Sequence, residues 1–486
     1  MFPKTLYSLA CFASEKYGDT AVISDGEITK TYKEFFADIN TFAARLAFLG
    51  LNQKHIALCG GNSYNWMAAY FAAASVGAVL PLGDDLEWED ITALCIKADC
   101  AAVINCGYTG EITSNSVEII DVTNLYQGES ISFEAPSADS IAALIPTSGT
   151  MGKGRICMLT HKNLCADIYA SVSTFDFHKN TVAILPFHHS FGMLGGVFVA
   201  LYNGVRIAVC PEMHKMYSVI SAEKPSFLFA VPAIADGIRA ECIRYTNKRI
   251  SLGIPASEAE EEGYAYASKL LGDECKFIIT GGAPLSKETE IFFANTSILL
   301  CGGYGLTECS PAVSVNPLHK IKQGSVGPAM KGISVRIIDP DESGCGEIAV
   351  KGETVMAGYY NDDESNSASF LDGWLLTGDM GRTDEDGYIY ITGRKKNTII
   401  LSNGKNVMPE ELEEKLCEYE NVTEALVYGE GDVIAAKIYS LYPEKCKKEI
   451  EAFNMSVPMY KRISHITFTD APLPRNALKK LIRGKN

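Results

Sequence analysis

The sequence predicts an α/β fold. A large multi-subdomain N-terminal domain, with two layered α/β sheets and a β-barrel-like region, is followed by a small, mobile α+β C-terminal domain. Three observations carry this. Short apolar runs of strand length alternate with helix-length apolar patterns through the first half of the chain. From about Gly324 the texture changes to short strands separated by turns such as Asp339-Pro340-Asp341 and Ser343-Gly344, as in an antiparallel β region. After Arg394 the pattern becomes mixed again, so the domains are expected to span residues 1–394 and 395–486.

Taken in order, the N-terminal MFPKTLYSLACFASEKYGDT has a short apolar patch ending at Glu15 and Lys16, and reads as an amphipathic helix rather than a signal peptide. His55–Cys59 is a buried-strand pattern. An apolar helix over 66–76 and a second strand from Ala78 complete a βαβ unit. Similar units recur around 101–105, 182–185, 205–210, 227–231 and 277–280. In the C-terminal part the pattern predicts a helix over 409–419 and strands over 425–428 and 433–439. No repeat, low-complexity linker or membrane-spanning apolar stretch is present.

At 486 residues the chain exceeds what one core usually organises, and 47% hydrophobic against 21% charged residues is a globular balance. The formal charge of −16 argues against a general nucleic-acid binder, which needs a basic surface. It leaves ATP binding open, because local amide nests and a few cations outweigh a distant acidic field. The fifteen cysteines form no CxxC pair and no zinc-type cluster, so buried free thiols in a cytoplasmic protein are expected.

Six stretches carry chemistry. Thr147-Ser148-Gly149-Thr150-Met151-Gly152-Lys153-Gly154-Arg155 follows an apolar strand, and its hydroxyls, glycines and cations suit a phosphate cradle, although the spacing is not that of a Walker loop. Phe187-His188-His189-Ser190-Phe191-Gly192 places a histidine pair between a strand and a glycine-rich helix, where it lines a pocket or caps a helix. Thr280-Gly281-Gly282-Ala283-Pro284 ends a buried strand, and Pro284 is expected to start a helix. Cys301-Gly302-Gly303-Tyr304-Gly305-Leu306-Thr307-Glu308 runs a strand into glycines around a ring that suits a base. It ends in a carboxylate that suits Mg²⁺ or a helix start. The tract Thr377-Gly378-Asp379 through Gly393-Arg394-Lys395-Lys396 to Gly404 joins an acid expected at a turn, a fixed cation, and a flexible junction. Last comes the basic tail with Lys479 and Lys480.

The ordered set of these stretches resembles the adenylate-forming superfamily of acyl-CoA synthetases, adenylation domains and luciferases, over nearly the whole chain. Its texture, including GRKKNTIILSNGKNVMPEE, is most similar to bacterial fatty-acyl-CoA synthetases. The resemblance implies that Thr147, Ser148, Gly149, Thr150, Gly152 and Lys153 surround the β- and γ-phosphates of ATP. Gly282, Ala283, Pro284 and Tyr304, with Gly303 and Gly305, would hold adenine, and Thr307 would contact the α-phosphate. Glu308 would ligate Mg²⁺. Asp379 would accept from both ribose hydroxyls with Arg394 beside it. Lys480, favoured over Lys479 by register, would be the catalytic lysine. Lys396 would be the hinge, and Gly404 would lie on the loop that enters for thioester formation with coenzyme A. His189, Phe191, Gly192, Val231 and Pro232 would border the acyl pocket, with His189 also in a catalytic position.

Some positions depart from the family pattern: Met151, Gly154, Arg155 and Ile156 in the phosphate loop, and Lys479 before the lysine. The stretch around His189 lacks the aspartate that pairs an amino acid's ammonium, so a plain carboxylic acid is the expected substrate. An acyl carrier protein as acceptor, a nucleotide-binding protein with little catalysis, and, more distantly, a P-loop kinase are the alternatives.

Overall fold

The computed structural model describes residues 2–26, 28–113, 117–129, 131–147, 154–210, 212–402 and 405–474. The chain divides into two compact units. One comprises Met1–Val335, Val350–Leu375 and Glu385–Ile389; the other comprises Arg336–Ala349, Leu376–Asp384 and Tyr390–Asn486.

The first unit holds the two predicted α/β sheets. In the eight-stranded sheet the order is Ala312–Val315, Leu299–Gly305, Phe277–Thr280, Phe227–Ala230, Asn180–Ala183, Arg206–Val209, Ala21–Ser24 and Thr29–Thr31. Neighbours run parallel except at the two edges. In the seven-stranded sheet the order is Gly358–Tyr359, Ile156–Thr160, Ile141–Pro146, Ala78–Leu82, His55–Cys59, Cys100–Asn105 and Glu118–Asp121. Both sheets are built from short, nearly continuous apolar runs, as strands buried on both faces require. The helix Tyr64–Val76 is buried almost all round and starts where Ser63 accepts from the Trp66 amide. The chain's cysteines are unpaired and mostly buried, and among the described residues no helix is long and apolar enough to cross a membrane.

An open five-stranded sheet built from Ile333–Ile338, Gly346–Gly352, Phe370–Leu371, Trp374–Thr383 and Ile389–Arg394 stands where the barrel-like region was expected. In the second unit, Glu424–Glu430 and Val433–Tyr439 pair antiparallel, and Ile463–Thr469 joins them in parallel. Helices Pro409–Cys417 and Pro443–Ser456 contribute Leu412, Leu416, Ile450 and Phe453 to one core with Val427 and Ile438.

The helix His161–Thr174 carries two buried titratable groups of opposite behaviour. The His161 ring accepts from the Leu6 amide at 3.2 Å through Nδ1 and donates to the Ala74 carbonyl at 3.0 Å through Nε2, so the imidazole is neutral. Burial depresses its pKa to about 4, against a smaller opposing pull from the Ala74 carbonyl. Asp167 is fully buried, with no well-formed hydrogen bond to either carboxyl oxygen among the described residues. Burial pushes it well above the usual carboxylate range, against a smaller pull from the Ala312 amide. His161 thus contributes stability that is complete above the unfolded pKa near 6.5 and is lost as pH falls through about 4, in total about 3 kcal/mol. Asp167 acts in the opposite sense: the unfolded chain ionises it first, so its contribution fades as pH rises above the unfolded value of 3.8. Denaturant unfolding across pH is expected to show a flatter acid slope for His161→Gln. Asp167→Asn should exceed wild-type stability at pH 7, with the gain shrinking toward pH 4. Parallel slopes for His161→Gln and wild type, or a destabilised Asp167→Asn at pH 7, would contradict these assignments.

Candidate active site

Strand Ile141–Pro146 delivers Thr147 to the neck of the predicted phosphate loop. The Thr147 amide and hydroxyl both donate to the Arg155 carbonyl, at 2.8 and 3.1 Å, and close the neck where the chain re-enters the sheet. Ser148, Gly149, Thr150, Gly152 and Lys153 lie outside the described residues.

From the neck a chain of contacts runs to the predicted metal ligand. The Arg155 guanidinium lies 4.1 Å from the centroid of the Tyr359 ring, and the Tyr359 hydroxyl donates to Glu308 Oε1 at 2.7 Å. Tyr359 is put there by strand pairing, opposite Cys157 on the strand that leaves the loop. The backbone carbonyl of Glu308 accepts from the Met356 amide at 2.9 Å, fixing the single 3₁₀ turn Thr307–Cys309. Burial and then the Glu308 charge push the Tyr359 phenol upward, so it stays a donor at neutral pH. Among the described residues no cluster of three potential metal ligands exists. One carboxylate held by a neutral donor nevertheless fits Mg²⁺, which keeps most of its waters and takes further oxygens from substrate phosphates.

The predicted adenine segment lies at strand ends. Gly281 follows Phe277–Thr280, and a Cβ there would meet the Gly303 carbonyl oxygen at 3.1 Å; at Gly305 a Cβ would lie 2.1 Å from the Pro311 carbonyl oxygen. These glycines let backbones approach closely and leave flat peptide surfaces. Gly303, Tyr304 and Gly305 lie within strand Leu299–Gly305 rather than beyond it, and are partly exposed. Gly282, Ala283 and Pro284 are exposed, but Pro284 does not start a helix. The helix begins at Lys287 because the Ser286 hydroxyl caps the Thr289 amide.

His188 and His189 face each other with ring centroids 4.1 Å apart, and His189 immediately precedes the helical segment Ser190–Met193. Both imidazoles are depressed, His188 to about 4, by burial first and for His188 by His189 second. Asp85 opposes the shift at both, so the pair is neutral at pH 7. Gly192 approaches the Pro186 carbonyl so closely that a Cβ would fall 2.0 Å from its oxygen. That approach carries Phe191 to Gly281, its Cζ 3.9 Å from a Cβ built there. Val231 follows the strand Phe227–Ala230, and Pro232 opens the helix Pro232–Ser251.

In the second unit the predicted ribose acid is ion-paired. Arg394 Nε lies 2.9 Å from Asp379 Oδ1, with the acid 6% exposed and the cation 48%. Asp379 sits inside strand Trp374–Thr383, not at a turn; Gly378, at φ +70°, supplies the bend that a turn was expected to provide. Glu347 stands outside every motif that the sequence announces. This buried acid accepts from the Gly378 amide at 3.1 Å and from Lys395 Nζ at 2.5 Å, so it ties the Asp379 strand to the residue before Lys396. A lone acid in the apolar strand Gly346–Gly352 was its readable signal. Lys396 is exposed in the short turn Lys395–Asn397, whose far side is fastened by Asn397 donating to Glu410 at 2.6 Å. Gly404, Lys479 and Lys480 lie outside the described residues.

A family model described as AMP-binding enzyme matches residues 11–360. The chain is 25% identical over 464 residues to a long-chain-fatty-acid–CoA ligase of Mycobacterium bovis, covering 83% of this chain and 76% of that protein. It is 31% identical over 365 residues to a long-chain-fatty-acid–CoA ligase of Bacillus subtilis, covering 71% of this chain and 60% of that protein. A 4-coumarate–CoA ligase-like protein of Arabidopsis thaliana is 30% identical over 366 residues, with coverage of 71% and 60%. Among solved structures, o-succinylbenzoate CoA synthetase of Bacillus subtilis with its acyl-adenylate intermediate superposes at a TM-score of 0.81. It is 22% identical and covers 97% of this chain and 96% of that one. A fatty acyl CoA synthetase of Mycobacterium tuberculosis gives 0.75 at 23% identity, covering 99% and 97%. With the loop neck, the glycine strand ends and the held Glu308 in the order that its sequence announces, the chain belongs to the AMP-binding enzyme family.

Proposed function

We propose that the protein activates a plain carboxylic acid, of the fatty type, with ATP. The products are an acyl-adenylate and pyrophosphate, after which the acyl group passes to coenzyme A and AMP is released. The observation that carries this reading is the Arg155–Tyr359–Glu308 chain, which holds a carboxylate beside the neck of a phosphate loop. It is supported by the relatives named as CoA ligases. We place the reaction in the cytoplasm, in keeping with the unpaired cysteines.

In the first step a carboxylate oxygen attacks the α-phosphorus and the bond to pyrophosphate breaks. The attacking anion meets a polyanion, so fixed cations are needed where charge shifts. Lys480 is assigned to bridge the two, and Thr307 donates to the α-phosphate. Gly282, Ala283, Pro284, Gly303, Tyr304 and Gly305 receive adenine. Asp379, held by Arg394, accepts from the ribose hydroxyls. Glu308 would hold Mg²⁺, which neutralises phosphate charge when bound. In the second step the coenzyme A thiolate attacks the acyl carbonyl and AMP leaves. The segment 395–486 turns about Lys396 between the steps and brings Gly404 into play, so that one centre serves two reactions in sequence. The neutral His188–His189 pair suits an uncharged acyl group. A carrier-protein thiol is the alternative acceptor.

The test is acid-dependent pyrophosphate release followed by identification of AMP and an acyl thioester, with coenzyme A or carrier protein supplied. ADP as product, or ATP binding without turnover on any acid, overturns the reading. In the same assays Lys480→Ala should lower adenylation by about 10²–10³. Lys396→Pro should impair thioester formation more than adenylation. Normal adenylate formation by the first variant, or equal loss of both steps in the second, would sink the corresponding assignment.

A further inference from the structure

The return limb of the predicted phosphate loop is held at three consecutive carbonyls. The Ile156 carbonyl accepts from the Tyr360 amide at 2.8 Å, and the Arg155 carbonyl accepts from the Thr147 amide and hydroxyl. Both of those donors extend strands that pair with Ile156–Thr160. The Gly154 carbonyl is served differently: it accepts from the Lys97 ammonium, a charged donor that arrives from another part of the fold.

Lys97 closes the helix Trp88–Lys97, and the chain then reverses at Ala98–Asp99 into the strand Cys100–Asn105. An exposed lysine on a surface carbonyl ordinarily counts for little, because its flexible stem loses freedom by staying there. Here the root of the stem is fixed. Asp99 turns the chain at φ +50°, and its Oδ2 accepts from the Tyr360 hydroxyl at 2.7 Å. Ala98 is fully buried, and its carbonyl accepts from His55 Nδ1 at 2.5 Å. The His55 ring meets the Tyr360 ring edge-on at 5.1 Å. Tyr360 therefore grips the turn with its side chain and the limb with its amide, so Lys97 is rooted beside the carbonyl that it bonds. Gly154 has no side chain to restrict its backbone. A trans peptide is planar, so a fixed Gly154 carbonyl also fixes the Arg155 N–H, which points the opposite way.

We infer that Lys97 is a positioning residue for the polyphosphate of ATP: it holds the exit of the phosphate loop through Gly154 and does not touch the nucleotide. This rests on the reading that the loop receives ATP. The anchor acts where the β- and γ-phosphates would lie, so its removal separates ATP from AMP, which lacks both.

The experiment measures equilibrium binding of Mg²⁺–ATP and of AMP to the full chain, for wild type, Lys97→Met and Lys97→Arg, with ATP–pyrophosphate exchange alongside. Lys97 is exposed, and methionine keeps its stem while losing the donor. Lys97→Met is expected to weaken Mg²⁺–ATP binding by at least about fivefold and to leave AMP binding within about twofold of wild type. In exchange, its KM for ATP should rise while its KM for the acid stays. Lys97→Arg should return Mg²⁺–ATP binding toward the wild-type value. Equal weakening of ATP and AMP overturns the inference, because it marks a general effect on the fold. So does unchanged ATP binding in Lys97→Met, or an arginine variant as weak as the methionine one. Wild-type protein that binds ATP but turns over no acid overturns the proposed function alone, and the binding comparison still decides the role of Lys97. Wild-type protein that binds no ATP overturns both.

Discussion

The hydrogen bond from the Tyr359 hydroxyl to Glu308 is the contact on which the chemistry-bearing part of the first unit depends. With the Arg155 guanidinium over the Tyr359 ring, it joins three segments far apart in sequence: the return limb of the predicted phosphate loop at Arg155, the turn Thr307–Cys309, and the edge strand Gly358–Tyr359. A neutral donor to a carboxylate contributes about 1.5–3 kcal/mol. The bond engages Glu308 Oε1 through a donor that carries no charge, in keeping with the proposed role of Glu308 toward Mg²⁺. If Glu308 holds Mg²⁺ as proposed, a guanidinium in the tyrosine's place would compete with the metal for the same charge. Placed over the ring face, Arg155 instead supports the donor without neutralising the acid.

The same economy of side chains shapes the strand ends. Gly281, Gly303 and Gly305 lie where a Cβ would strike a neighbouring carbonyl or crowd its oxygen, so backbones themselves form the walls. In the second unit, buried Asp379 and Glu347 are each paired to a more exposed cation of one short run, Arg394 and Lys395. Both residues before Lys396, the proposed hinge, are thereby anchored.

Much of the fold was legible because it is local. Buried strands such as His55–Cys59 and Phe277–Thr280 are continuous apolar runs with glycine or polar ends, and they stand where the pattern put them. The misreadings were competitions between local signals. Ser286 outweighs Pro284 as a helix start because a hydroxyl satisfies an orphan amide, whereas proline only removes one. The TGD tract looked like a turn, yet a single residue at positive φ bends a strand without ending it. Tyr359 was illegible for a different reason: its role depends on an edge strand pairing with residues about two hundred positions earlier, which no local pattern encodes. Glu347 was legible in principle, since a lone acid in an apolar strand must find partners, but which partners is a tertiary fact.

The most direct test of this account is the Mg²⁺ dependence of acid-dependent ATP–pyrophosphate exchange in wild type, Tyr359→Phe and Glu308→Gln. The account predicts that Glu308→Gln loses at least about a hundredfold in exchange rate. Tyr359→Phe should keep turnover at saturating Mg²⁺ but require roughly tenfold more of it. Mg²⁺ titration curves that coincide for all three proteins would contradict it.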